Sequence, residues 1–111
     1  MDRLEAYRRI VQKLLQEYSQ IPYAHGKIDQ ELVFDKERDH YELLSIGWEG
    51  ARRIHHSVIH IDIRGDKVWL QQDNTDAAIA EELVERGIPK TDIVLGFQPE
   101  HRRPYTGYAV A

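Results

Sequence analysis

The chain has no cysteine, which excludes disulfides and thiolate metal sites and removes cysteine usage as a guide to redox compartment. No apolar run approaches the roughly 18 residues of a membrane-spanning helix, so no membrane association is expected. Positive charge is not in excess: 15 Lys and Arg stand against 19 Asp and Glu, for a formal charge of −4. Phosphate neutralisation usually dominates affinity for nucleic acid, so this balance speaks against a nucleic-acid coat protein while leaving room for a local basic patch. There is no glycine-rich phosphate loop, because the glycines fall at turns and helix ends. Ser19, Ser45 and Ser57 lack the strand–turn–helix context of a nucleophile elbow. Met1-Asp2-Arg3 runs into an amphipathic pattern without an apolar core segment, so no secretory signal is expected and the expected location is the cytoplasm. Spacing therefore predicts no catalytic residues, no cofactor and no metal.

What remains is a chain of 111 residues, 41% apolar, which is one domain spanning 1–111. A domain of this size buries only about two-thirds of its unfolded surface, so its stability margin is thin and self-association would widen it. Leu4, Tyr7, Ile10, Val11, Leu14, Leu15 and Tyr18 recur at helical spacing, with Arg and Gln around the rest. This predicts a helix over 2–18, capped by Asp2 and ended by Pro22 and Gly26. Residues 31–35 read as a strand, 36–39 as a charged turn and 40–48 as a second strand, with Gly47 as a bulge candidate. Residues 56–63 and 67–72 form the clearest hairpin, turning at Gly65-Asp66 in a type II′ geometry. Counting outward pairs Ile63 with Val68 and Ile61 with Leu70, an apolar face that includes Ile59. The other face then holds His56, Val58, His60, Asp62, Trp69 and Gln71, with Asp62 opposite Trp69 and His60 opposite Gln71. Asp73 to Asp76 offer caps for a helix running from Ala77 to Arg86, stopped by Gly87. Residues 93–97 read as a buried strand or an irregular segment, 99–104 as a loop, and 105–110 as a last strand. A run of strands flanked by helices predicts an α+β fold: an N-terminal helix, an antiparallel sheet of four or more strands, and a second helix packed on the sheet.

Three clusters could carry chemistry. His56, His60 and Asp62 share a predicted strand face and are sound metal ligands, whereas His55 points the other way; the plainer reading is a polar sheet surface of hydrogen-bonded histidines. Trp69 lies on that face, either as an exposed interface residue or as core beneath a helix. Lys90, Arg102 and Arg103, with His101 and the interleaved Tyr105 and Tyr108, form a basic cluster that either touches a nucleic-acid backbone or is a solvated loop. Arg52 and Arg53 with His55 and His56 form a weaker one. Trp69, His60, Asp62, Lys90, Arg102 and Arg103 are thus the expected contacts for a partner or for nucleic acid, and Trp69 is the expected centre of a homodimer interface.

Several blocks then resemble a known family. They are Tyr41 to Leu44 with Gly47-Trp48 and Arg53; His60 to Ile63 with Lys67 to Gln71; Asp73, Thr75, Ile79 to Leu83 and Gly87 to Phe97; and Arg102 or Arg103 with Tyr105 to Val110. Together they are similar to the fdxN element excision controlling factor family, also called XisI-like, over nearly the whole chain. The resemblance implies a cyanobacterial accessory factor for excising a DNA element. It also implies a separate recombinase that performs the strand chemistry, and an endonuclease-like companion protein. It carries over no catalytic residue. Three functions stay open: a module that binds a protein partner, a protein making direct DNA contact through Lys90, Arg102 and Arg103, and a metal-dependent hydrolase using His56, His60 and Asp62.

Overall fold

The apolar stripe near the N-terminus does form a helix, α1, over Arg3–Ser19, and it buries Tyr7, Val11, Leu14 and Leu15. The Asp2 carboxylate accepts from the Leu4 backbone N–H at 3.1 Å, which satisfies one of the helix's unpaired N-terminal donors. The structure, a computed structural model, describes residues 2–22 and 27–111; Gly26, expected to help end the helix pattern, lies outside them.

Five strands follow: β1 (Lys27–Asp35), β2 (His40–Glu49), β3 (Arg52–Arg64), β4 (Lys67–Asp73) and β5 (Ile93–Leu95). They lie side by side in chain order. The first four make an antiparallel meander, as the sequence predicts. β5 joins β4 in parallel, because the chain crosses over through α2 (Ile79–Glu85) before returning to the sheet. One face of the sheet carries α1 and the buried layer: Tyr41 and Leu43 from β2, Ile59 and Ile61 from β3, Val68 and Leu70 from β4, with Ile79 and Leu83 from α2. Two Arg–carboxylate pairs brace this layer. Arg8 of α1 grips Asp39 in the β1–β2 turn through Nε–Oδ1 at 2.9 Å and Nη2–Oδ2 at 3.1 Å. Arg86 reaches Glu17 of α1 at 3.1 and 3.0 Å.

The structure corrects several local expectations. Gly65 and Asp66 both have positive φ, +53° and +66°, so the turn is of type I′ rather than II′. That turn's twist matches the flanking strands, and Asp tolerates the left-handed region better than most residues. Gly47 is not a bulge; it pairs regularly with Ile28 and Ile54. A Cβ there would sit 2.0 Å from the Lys27 carbonyl oxygen, so the residue is glycine because the β1 backbone approaches closely. The bulges fall at Val58, between the Leu43–Ile59 and Leu44–Ser57 pairs, and at Gln71, between the His60–Gln72 and Ile61–Leu70 pairs. The expected pair of His60 with Gln71 is therefore replaced by His60 with Gln72, while Asp62 faces Trp69 as predicted. α2 begins at Ile79 and not at Ala77, because Ala78 is left-handed at φ +51°. Its first donor is satisfied from upstream, where the Asp73 carboxylate accepts from Ile79 N–H at 3.1 Å and from Thr75 N–H at 2.9 Å. Finally, 100–105 form a 3-10 turn rather than a loop, and 105–110 form no strand; Ala109 makes an isolated bridge to Val94.

Candidate functional site

The face of the sheet away from α1 carries the charged and aromatic residues, and one bulge decides which of them meet. Counting back along β2 and β3 from their turn at Gly50-Ala51, Trp48 pairs with Arg53 and Leu44 with Ser57. Uninterrupted, that register would set His40 opposite Ile61. The extra residue at Val58 moves the pairing on by one, so His40 faces Asp62 and Glu42 faces His60. It also reverses the alternation of β3 beyond that point. His56 now pairs with the buried Ser45 and leaves the face it was expected to share with His60 and Asp62, while His55, expected opposite, joins that face beside Ile46. The predicted triad of His56, His60 and Asp62 is thus replaced by His40, His60 and Asp62.

Asp62 is 5% exposed and sits at the centre of this group. Its Oδ1 lies 2.8 Å from His40 Nδ1 and 2.8 Å from His60 Nε2, and its Oδ2 accepts from the Gln71 amide at 3.2 Å. The Glu42 carboxylate stands 3.8 Å from the far ring nitrogen of His60. The hydrogen bond to Asp62, reinforced by that carboxylate's charge, raises the His40 imidazole above its ordinary pKa. A carboxylate fixed by two imidazoles and an amide can orient a ligand or hold a cation. The side chains able to ligate a metal here are His40, His60 and Asp62, whose donor atoms lie within 4.8 Å of one another.

Trp69 is neither an exposed anchor nor core beneath a helix. It is half-buried, and guanidinium groups flank it: Arg64 at 4.9 Å and Arg103 at 5.1 Å from the ring centroid. Arg103 is held there by donating from Nε to the Gln98 carbonyl at 3.1 Å. The predicted basic cluster is consequently divided. Arg103 lies on Trp69, Lys90 sits 5.3 Å from the Tyr108 ring, and Arg102 is exposed on the 3-10 turn beside His101 and Tyr105. In the second basic cluster, Arg53 stacks over Trp48 at 5.2 Å and Arg52 pairs with Glu49 at 3.8 Å.

On the same face, Leu44, Ile46 and Trp48 form an apolar stripe along β2, where Trp48 is 51% exposed, and the exposed Val33 of β1 stands opposite Glu42. Sequence reasoning missed this stripe. Its signal is that β2 is apolar at both alternations, with Leu43 on the side of α1 and α2 and Leu44, Ile46 and Trp48 on the other.

A family model described as XisI protein matches residues 1–110. Solved structures match over the same length. A XisI-like protein from Anabaena variabilis ATCC 29413 is 45% identical, with a TM-score of 0.93 over 98% of this chain and 100% of that one. The fdxN element excision controlling factor XisI from the same organism is 34% identical, with a TM-score of 0.85 over 99% of this chain and 100% of that one. No curated protein sequence matches.

Proposed function

Because the chain belongs to the XisI protein family, we propose that it is a non-enzymatic controlling factor for site-specific excision of a DNA element and that it acts through a protein partner. The observation that carries this reading is the end-to-end likeness to an excision controlling factor. The partner of choice is the endonuclease-like companion implied by the family resemblance.

The contact surface is the sheet face away from α1. Its apolar stripe at Leu44, Ile46 and Trp48 supplies a core for a protein interface, and Arg53, Glu42 and His60 supply a polar rim. His60, Asp62 and Trp69 continue the surface toward β4. Direct DNA contact through Lys90, Arg102 and Arg103 is the weaker reading. Two of these three cations already lie on aromatic rings of the same chain, and the formal charge is −4. Self-association would use the same open stripe.

Co-expression of the companion with a tagged wild-type chain tests the proposal: the two proteins should co-purify, and Trp48→Ala should lose the complex while staying folded. A companion that fails to co-purify with the wild type overturns the partner reading. A complex untouched by Trp48→Ala overturns the assignment of the face. Gel shifts at two salt concentrations test the rival, since tight, salt-sensitive DNA binding that Arg102→Ala abolishes would make the protein a DNA binder. Light scattering on the isolated chain reads self-association in the same preparation.

A further inference from the structure

We propose that His40, His60 and Asp62 form a binding site for one divalent transition-metal ion, set in the same sheet face as the protein contact proposed above. The donors are two imidazole nitrogens and one carboxylate oxygen, a set suited to zinc, copper, nickel or ferrous iron and poorly suited to calcium or magnesium, which take oxygen.

The geometry is close to what such an ion needs. His40 Nδ1 and His60 Nε2 converge on the same Asp62 oxygen, each at 2.8 Å, and the three donor atoms lie within 4.8 Å of one another. A tetrahedral ion with bonds of roughly 2.0–2.1 Å separates its ligands by roughly 3.3 Å, so each short distance must open by about 0.5 Å, and a pair at the 4.8 Å limit must close by about 1.5 Å. Side-chain rotations of the two rings supply that. The ion takes the place of the protons that the rings now share with Asp62.

Three features distinguish this group from a chance surface cluster. Asp62 is nearly buried, and Gln71 holds its other oxygen at 3.2 Å, which fixes the direction in which Oδ1 points. Glu42 lies 3.8 Å from His60 Nδ1, longer than a hydrogen bond but near enough for its charge to favour a proton on that nitrogen and leave Nε2 free to ligate. His40 is half-exposed, so an ion can reach the site from solvent and keep an open coordination position there. The ion pairs described for Asp62 are those to the two imidazoles, so no lysine or arginine pair has to be displaced.

The test is isothermal titration of zinc chloride into the full chain after chelator treatment, with copper quenching of Trp69 fluorescence as a second readout, because Trp69 is the cross-strand neighbour of Asp62. One zinc per chain is expected. His40→Ala and His60→Ala should each weaken binding by about tenfold or more, and Gln71→Leu by about tenfold, as loss of an outer-shell partner does. His56→Ala should change nothing, because the Val58 bulge places it on the opposite face. Circular dichroism confirms that each variant is folded, and His40→Gln at the half-exposed position replaces any that is not. Absence of saturable binding to the wild type overturns the proposal. So does zinc affinity that persists in His40→Ala and His60→Ala or that disappears in His56→Ala.

Discussion

Trp48 and Trp69 occupy the same face of one sheet but have opposite surroundings. Trp69, on β4, is flanked on its ring by Arg64 and Arg103, and the C-terminal segment runs beside it where Ala109 bridges Val94. Trp48, on β2, has one guanidinium over it and remains 51% exposed. The difference lies in the chain that follows. β5 and the 100–105 turn return along the β4 edge and bring Arg103 over it, whereas the segment that directly follows β2 is β3, which extends the sheet. Trp69 is thus packed against arginines of its own chain, whereas Trp48 is left more open.

The sharpest way to break this comparison is to truncate both rings. Trp69→Ala should lower stability by about 3 kcal/mol, at the lower end of large aromatic truncations because the ring is only half-buried. A urea melt measures it, and a loss below about 0.5 kcal/mol would mean that the arginine stack does not hold that edge together.

A smaller loss is expected on the helix-covered side, at Asp39. This residue binds Arg8 by two hydrogen bonds and accepts from Tyr41 Oη at 2.8 Å, and its own carbonyl accepts from Ile63 N–H at 3.0 Å. Asp39→Asn keeps a residue that tolerates φ +57° but removes the charge, so about 1–2 kcal/mol should be lost. The same substitution should leave zinc binding and partner capture on the other face unchanged.

Tyr7 gives a pH-dependent handle on the same layer. Burial, then a hydrogen bond to Asp92, pushes its hydroxyl from 10.0 up to about 12. A pKa raised by folding contributes stability that is complete below pH 10.0 and is lost as pH rises toward about 12. Alkaline melts of the wild type should therefore steepen across that window. Tyr7→Phe should flatten this component, with the tyrosinate absorbance losing one late-titrating ring.

The smallest effect on stability belongs to Trp48→Ala, within about 0.5 kcal/mol. Acrylamide should quench Trp48 readily and Trp69 weakly. Equal quenching of the two rings would erase the distinction between them.

Much of the frame was legible because it rests on local pattern. The stripe from Leu4 to Tyr18 has one solution, a helix with Tyr7, Val11, Leu14 and Leu15 inward. The hairpin pairs Ile63–Val68 and Ile61–Leu70 follow from the two-residue turn and from the requirement that one face be apolar. The candidate site was only partly legible. His60, Asp62 and Trp69 were rightly placed together, but His40 was not among the candidates and His56 was placed on the wrong face.

The sequence by itself determined the helix, the meander and the core face, because periodicity and turn chemistry act between neighbours a few residues apart. Tertiary structure decided the site. A bulge at Val58 has no marker in composition, because it is a property of how β2 and β3 pair, and a single inserted residue exchanges the two faces of a strand beyond it. In the same way, whether a tryptophan is covered depended on where a segment more than thirty residues later crosses the sheet, as Arg103 does over Trp69. Alternation along the strand carries no information about that crossing.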